Sequence, residues 1–380
     1  MRILFYYYET GAYSRAWIYP HWDKELTQSG HSFTVINAYD RGHGLTRDEY
    51  DQYVVETVTR EHQQEPVSML LCSVRSDDMS ADAVRRISDL GIPTINVTWD
   101  DTFLAHRVKE IAPAFDLYWV ADPLALETMR GYGANVMFLP SAANPNVFQP
   151  EDVDEDIDLS FCGQRYGSRI YYVEELFKRG IDVDMYGVGW KSEEQGGDPL
   201  RQRRGLGLSA GLRHVAGSLS HRHGRTWARS ALKRRMQRKS TDPALNERIS
   251  SRTNPPLPFP DMIRLFSRSK MTLGFNELGH TYLLKHPLSV IRTRDFEAIA
   301  SGACHFILRM PEWAPYFEED RDVLCYASAE ELADKVRFYL DPARDSARAE
   351  IRRNARNRAV QDHTWTQRFE SISHELGVKS

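Results

Sequence analysis

The sequence predicts an α/β protein of two doubly wound halves, each a parallel sheet with helices on both faces, with a cleft between them. Three observations carry this. The chain of 380 residues is too long for one ordinary core and suits two domains of about 150 to 200 residues. Short β-rich runs alternate with helix-length segments, the pattern of βαβ units. A stretch rich in Pro, Asn and acidic residues, LPSAANPNVFQPEDVDEDID (139–158), interrupts the alternation once, which marks a boundary.

In the first half the strand runs are ILFYYY (3–8), SFTVIN (32–37), VSMLLCSV (67–74), PTINVTW (93–99), DLYWVA (116–121) and ANVMFLP (134–140). Helix-length segments lie between them, including 48–63 and SADAVRRISDLG (80–91), which has a Ser start and a Gly stop. Alternation resumes with DIDLSFCG (156–163), a helix over 168–180 and the strand IDVDMYGVG (181–189). It continues through 262–275, a helix from 293, DVLCYA (322–327) and a helix over 328–341. The expected division is a first domain over 1–145, a linker over 146–158, a second domain over 159–362 and a closing helix over 363–380. Ligands of such sheets bind at the carboxyl ends of the strands.

Composition is that of a soluble globular protein, 41% hydrophobic and 27% charged. A net charge of -4 gives no global attraction to nucleic acid or anionic membrane. Cys72, Cys162, Cys304 and Cys325 form no CxxC pair or Cys/His cluster, so they read as buried thiols in a reducing compartment. MRILFYYYETG reads as a first strand rather than a leader, and no window reaches the roughly 18 apolar residues of a spanning helix. These points indicate a cytoplasmic protein.

Residues 191–252 break the pattern, with 15 Lys and Arg against 5 Asp and Glu, a local balance of +10. Three readings stand: a solvated insertion, a surface for anionic lipid or a lipid-linked acceptor at the inner membrane face (through 200–250), or a polyanion site. No zinc-finger, RRM or KH pattern supports nucleic acid.

The segment RTRDFEAIASGACHFIL (292–308) concentrates polar chemistry. Thr293 can cap a helix that Gly302 ends, with Phe296, Ile299 and Ala300 on its core face. An anion at this helix start meets free N–H groups and the positive end of the dipole. Arg292 and Arg294 add guanidinium forks for phosphate oxygens, and Glu297 can accept ribose hydroxyls. A plain amphipathic helix is the bland alternative. FCGQRYGSR (161–169) is a second anion candidate: Gly163 and Arg165 follow a strand, and Arg169 sits in a first helical turn, where a cation is disfavoured unless an anion joins it. Its alternative is a turn with exposed arginines. Tyr186 and Gly187 end a strand where a ligand can approach closely, and Asn276 follows another. In the first half, Glu9, Thr10 and Gly11 leave the first strand, and Asp100 and Asp101 leave the fourth. The aspartates can be a base, a metal site or a helix cap. No DxD motif stands at a comparable strand end, so no metal is expected.

Four segments together resemble a GT-B glycosyltransferase of the group-1 type, closest to the CgeB-type, spore-maturation-like branch: ADPLALETMRGYGANVMFLPSAANPNVFQP (121–150), DIDLSFCGQRYGSR (156–169), RTRDFEAIASGA (292–303) and HTWTQRFESISHEL (363–376). The resemblance covers most of the chain except the basic insertion. It implies two Rossmann-like domains and a closing helix that returns to the first. A UDP- or GDP-type nucleotide sugar would be held by the second domain, and a hydroxyl acceptor such as a polysaccharide, lipid-linked glycan or protein by the first. No cofactor is implied beyond the donor. Carried onto this sequence, Glu297 would bind ribose, Arg294 or Arg292 with Arg169 would neutralise the diphosphate in place of a metal, and Asp100 and Asp101 would lie near the acceptor hydroxyl. Ser289 stands where the wider group often has an acid, eight positions before Glu297. Rival readings are an epimerase on the same fold, a non-catalytic nucleotide-sugar-binding module and a DNA-modifying sugar transferase.

Overall fold

A computed structural model of the chain describes residues 1–7, 17–37, 46–190, 216–236 and 242–378. Two compact units emerge. The first comprises Met1–Asn144, Arg213–Arg225 and Trp365–Ser380; the second comprises Pro145–Leu212 and Thr226–Thr364.

Unit 1 holds a six-stranded sheet in the order β2-β1-β3-β4-β5-β6, with β1 at Arg2–Tyr7, β2 at Ser32–Asn37, β3 at Met69–Ser73, β4 at Thr94–Thr98, β5 at Leu117–Val120 and β6 at Val136–Phe138. Every pair is parallel, in registers such as Ile3 opposite Met69 and Ile95 opposite Leu117. The central strands read as unbroken apolar runs because helices cover both faces, so both sides of the pleat are buried. Thr46 caps the Arg47–Gln64 helix in a reciprocal box with Glu49, and Ser80 caps the Ala81–Ser88 helix by accepting from the Ala83 N–H at 3.1 Å. One face packs under the C-terminal helix Trp365–Glu375, in an aromatic cluster of Phe5, Trp22, Trp119, Trp365 and Phe369.

Unit 2 repeats the architecture in the order β12-β11-β10-β7-β8-β9. Its strands are β7 (Ile157–Cys162), β8 (Asp184–Tyr186), β9 (Thr253–Asn254), β10 (Ser269–Leu273), β11 (His305–Leu308) and β12 (Leu324–Tyr326), again all parallel. Strand order reverses between β7 and β10, and this switch point is where an open parallel sheet leaves a crevice beyond its carboxyl ends.

The chain passes between units at Asn144–Pro145, and an arginine of each unit holds its own side. Arg368 donates to the Pro140 carbonyl at 3.0 Å, and Arg356 to the Pro145 carbonyl at 2.9 Å. Part of the basic segment, Pro243–Ser251, is a helix capped by Asp242, and Arg248 pairs with Asp182 at 2.6 Å. The expected single insertion is divided: Arg213–Arg225 clusters with unit 1, and Thr226 onward with unit 2. Residues 191–215 and 237–241 lie outside the described residues.

The two-residue β9 and the Asp345–Asp362 helix are additions to the expected elements. Both leave little periodic signal, the first through its shortness and the second because charge surrounds a narrow stripe of Ile351, Ala355 and Ala359. Cys72, Cys304 and Cys325 are buried, and burial pushes the Cys304 thiol up to about 12; Cys162 is only partly covered, contrary to expectation.

Candidate functional site

The carboxyl ends of β7 and β8 are fastened by backbone contacts. Gly163 donates its N–H to the Tyr186 carbonyl at 2.8 Å, Arg165 to Val188 at 2.9 Å, and the Trp190 indole to the Gly163 carbonyl at 2.8 Å. A Cβ on Gly187 would stand 2.2 Å from the Gly163 oxygen, and φ is +152°. The reason for glycine there is thus backbone against backbone, not the ligand approach expected from sequence. Gly167, with φ +58°, likewise leaves room for the Gly279 carbonyl, where a Cβ would stand 2.5 Å away. These approaches hold the loop after β7 against the loop after β10.

Guanidinium groups gather over this frame. Arg169, in the first turn of the Ser168–Lys178 helix, donates to the Gln164 carbonyl at 2.9 Å and lies over the Phe161 ring at 5.4 Å. Burial and the like charges of Arg292 and Arg294 pull its pKa down to about 9. Gly163 keeps space for it, since a Cβ there would meet the Arg169 Nη1 at 3.2 Å. Arg294 pairs with Glu297 at 2.7 Å and touches the Met262 sulfur; its side chain is 39% exposed while that of Glu297 is 4% exposed. Arg169, Arg294 and Glu297 all act on Cys162 at the end of β7, which places them around one strand exit. Arg165 is exposed in the loop after β7.

The Thr293–Ala300 helix is started differently from expectation. Its N-cap is Arg292, not Thr293, and Asp295 performs the capping by accepting from the Arg292 N–H at 3.1 Å. Asp295 is fully committed beneath the helix, bound by Asn276 Nδ2 at 2.8 Å and close to His305 Nε2 at 3.1 Å; His305 in turn meets Thr272 at 2.7 Å. This buried polar network is internally satisfied and fixes the helix on β10 and β11.

Two expected donor contacts are therefore corrected. Asn276 is buried, and its amide is spent on Val290, Asp295 and Leu308, leaving it nothing for a ligand. Arg292 uses Nε on the Phe275 carbonyl at 2.9 Å and Nη2 on that of Glu277 at 3.2 Å, so it shapes the loop and contributes charge rather than a free fork. Tyr186, the last residue of β8, is half-buried opposite Cys162, and burial raises its phenol, with Asp184 adding to the rise.

In unit 1, Asp100 and Asp101 separate. Asp100 is exposed at the start of the Asp101–Leu104 helix and makes no capping bond. Asp101 is buried, accepts from the Thr98 hydroxyl, and receives the Tyr118 hydroxyl at 3.2 Å. Burial raises its carboxyl to about 7, with Asp100 and Asp122 adding repulsion. Its oxygens are occupied inside the unit, so Asp100 is the one of the pair that stands open. Glu9, Thr10 and Gly11 lie outside the described residues. Among the described residues no three His, Cys, Asp or Glu side chains stand close enough to share a metal ion, and no helix is long and apolar enough to cross a membrane.

Sequence reasoning missed Trp190 and Gly279, which brace the loops after β7 and β10. A glycine on each of two loops is the one signal that pointed to them.

The architecture is shared with solved proteins. A glycosyltransferase from Rickettsia africae covers 100% of this chain and 99% of its own, with a TM-score of 0.59 at 11% identity. Anabaena HepE, in complex with UDP and glucose, covers 99% of each chain with a TM-score of 0.56 at 11% identity. The chain has the GT-B fold. Its two Rossmann-like units are those described above. A third GT-B neighbour, provisionally named a UDP-N-acetylglucosamine 2-epimerase from Listeria monocytogenes, covers 100% of this chain and 98% of its own, with a TM-score of 0.50 at 11% identity. Residues 212–374 match a family model described as glycosyl transferase-like, which spans less than half of the chain. No curated protein matches in sequence.

Proposed function

We propose that this GT-B protein transfers a sugar from a nucleoside-diphosphate sugar to a hydroxyl acceptor. The observation that carries the reading is the pair of guanidinium groups of Arg169 and Arg294 at the β7 exit, with the buried Glu297 carboxylate beside them. Cations crowded at a helix start repel one another and oppose the dipole, and a diphosphate relieves both. In the transfer, the bond from the anomeric carbon to the diphosphate oxygen breaks and one to the acceptor oxygen forms. The leaving diphosphate gains charge, and Arg169 and Arg294 are placed to neutralise it without a metal. Glu297 takes the ribose hydroxyls, and Asp100 receives the acceptor's proton.

UDP is favoured over GDP because the Anabaena protein of the same fold binds UDP and glucose. The finer placement in the CgeB-type branch rests on RTRDFEAIASGA and the closing helix. An anionic membrane surface, where a lipid-linked acceptor would lie, suits the Arg222–Met236 helix, which exposes Leu232 and Met236 among Arg229 and Arg235. The Listeria neighbour keeps a nucleotide-sugar epimerase as the second reading. Release of free UDP from UDP-sugar only when an acceptor is supplied, with EDTA making no difference, is the expected result. Interconversion of donor epimers without release of UDP would establish the epimerase instead.

A further inference from the structure

A cavity of about 500 Å³ in unit 2 is lined by none of Arg165, Arg169, Arg294 or Glu297. Its size is within the roughly 300 to 1000 Å³ of small-molecule sites. It opens between the Ser168–Lys178 helix, the loop after β10, the start of the Ala329–Leu340 helix and the basic Arg222–Met236 helix.

Its chemistry is mixed in a definite way. Tyr171 and Tyr282 stack at 5.2 Å between centroids, with planes 20° apart, and Tyr171 is 37% exposed. Glu277 lies at the wall, 6% exposed; Tyr172 donates to its Oε1 at 2.8 Å, and the Ser168 hydroxyl also bears on the carboxylate. Glu174, Arg234 and Ser328 complete the polar lining. Arg234 is delivered by the basic helix, which Lys233 ties to the Leu283 carbonyl and which sets Trp227 beside Gly279.

We propose that this cavity is a second ligand site, taking a neutral carbohydrate. Two carboxyls oppose an anion, and Arg234 opposes a cation. A neutral pyranose ring meets neither objection, its hydroxyls donating to Glu174 and accepting from Arg234. Its apolar face lies on a tyrosine ring, where dispersion and area burial favour it. The site goes beyond the transfer reading and stands without it.

The test uses the full chain with cellobiose, maltose and N,N′-diacetylchitobiose, and with gluconate and glucosamine as charged controls. Saturation-transfer NMR and calorimetry are run with and without saturating UDP. At least one neutral disaccharide is expected to bind, to remain bound with UDP present, and to lose about tenfold in affinity in Tyr282→Ala and in Arg234→Ala. Both side chains are half-buried, and unchanged melting of each variant confirms its fold. Binding of none of the three neutral sugars, preference for gluconate or glucosamine, displacement by UDP, or full affinity in both variants overturns the proposal. UDP binding is read separately in the same titrations, so its failure would count against the transfer reading alone.

Discussion

The two units put opposite charge at the carboxyl ends of nearly the same sheet. Beyond β4, unit 1 presents Asp100 and Asp101, with Asp122 adding to their field; beyond β7 and β10, unit 2 presents Arg165, Arg169 and Arg294. The manner differs as much as the sign. Asp101 is buried among the hydroxyls of Thr98 and Tyr118, and burial moves its pKa toward neutrality. In unit 2 the cations repel one another and Arg294 keeps 39% of its side chain exposed. A shared fold fixes where functional groups can stand. Local burial decides whether they become internal struts or an open binding surface.

The strongest way to break this contrast is to remove the arginines. Arg169→Ala with Arg294→Ala should weaken UDP binding by about a hundredfold or more, from two charge-assisted contacts of roughly 1.5 to 3 kcal/mol each. Uridine should lose far less. Equal losses for UDP and uridine in calorimetry would remove the phosphate assignment.

On the acidic side, Asp101 has a folded pKa raised from 3.8 to about 7. The folded state therefore holds the proton more tightly than the unfolded one. Its contribution is fully present below about pH 4 and is lost as pH rises through about 7, on the order of 4 kcal/mol in all. Asp101→Asn should flatten that part of the fall in denaturant midpoint between pH 5 and pH 8. A variant with the slope of the parent would show that Asp101 ionises freely in the fold.

Glu297→Gln tests the one acid within the basic site. It should cost about tenfold in both uridine and UDP affinity, because a ribose contact is common to the two. A loss confined to UDP would make Glu297 a positioning partner of Arg294 instead. Least affected should be Arg165→Ala, an exposed side chain in a screened setting, at about threefold and diminishing with salt. A larger, salt-independent loss would show that Arg165 reaches the phosphates directly.

Much of the scaffold was legible before the structure. Runs such as ILFYYY and TINVT are apolar on both faces, and only a covered parallel sheet buries both. Ser80 and Gly91 bracket a helix through local chemistry that needs no distant partner. The polar residues of RTRDFEAIASGA were legible as a group but not in their roles. Arg292, Arg294 and Asp295 differ little as letters. One holds the Phe275 and Glu277 carbonyls, one pairs with Glu297, and one joins a buried network with Asn276 and His305.

What the sequence determined by itself is the part set by periodicity and near neighbours: two parallel α/β sheets, the helix caps and the concentration of arginine after β7 and β10. What only the tertiary structure decided is which polar atoms are already satisfied. Asn276, Asp101 and Glu277 each follow a strand on the carboxyl side of a sheet, yet the first is fully bonded, the second is shut in by two hydroxyls, and the third takes the Tyr172 hydroxyl at a cavity wall. The reason is that a side chain's partners come from segments far away in the chain. Tyr172, 105 positions from Glu277, and Leu308, 32 from Asn276, reach them only when the strands are laid side by side.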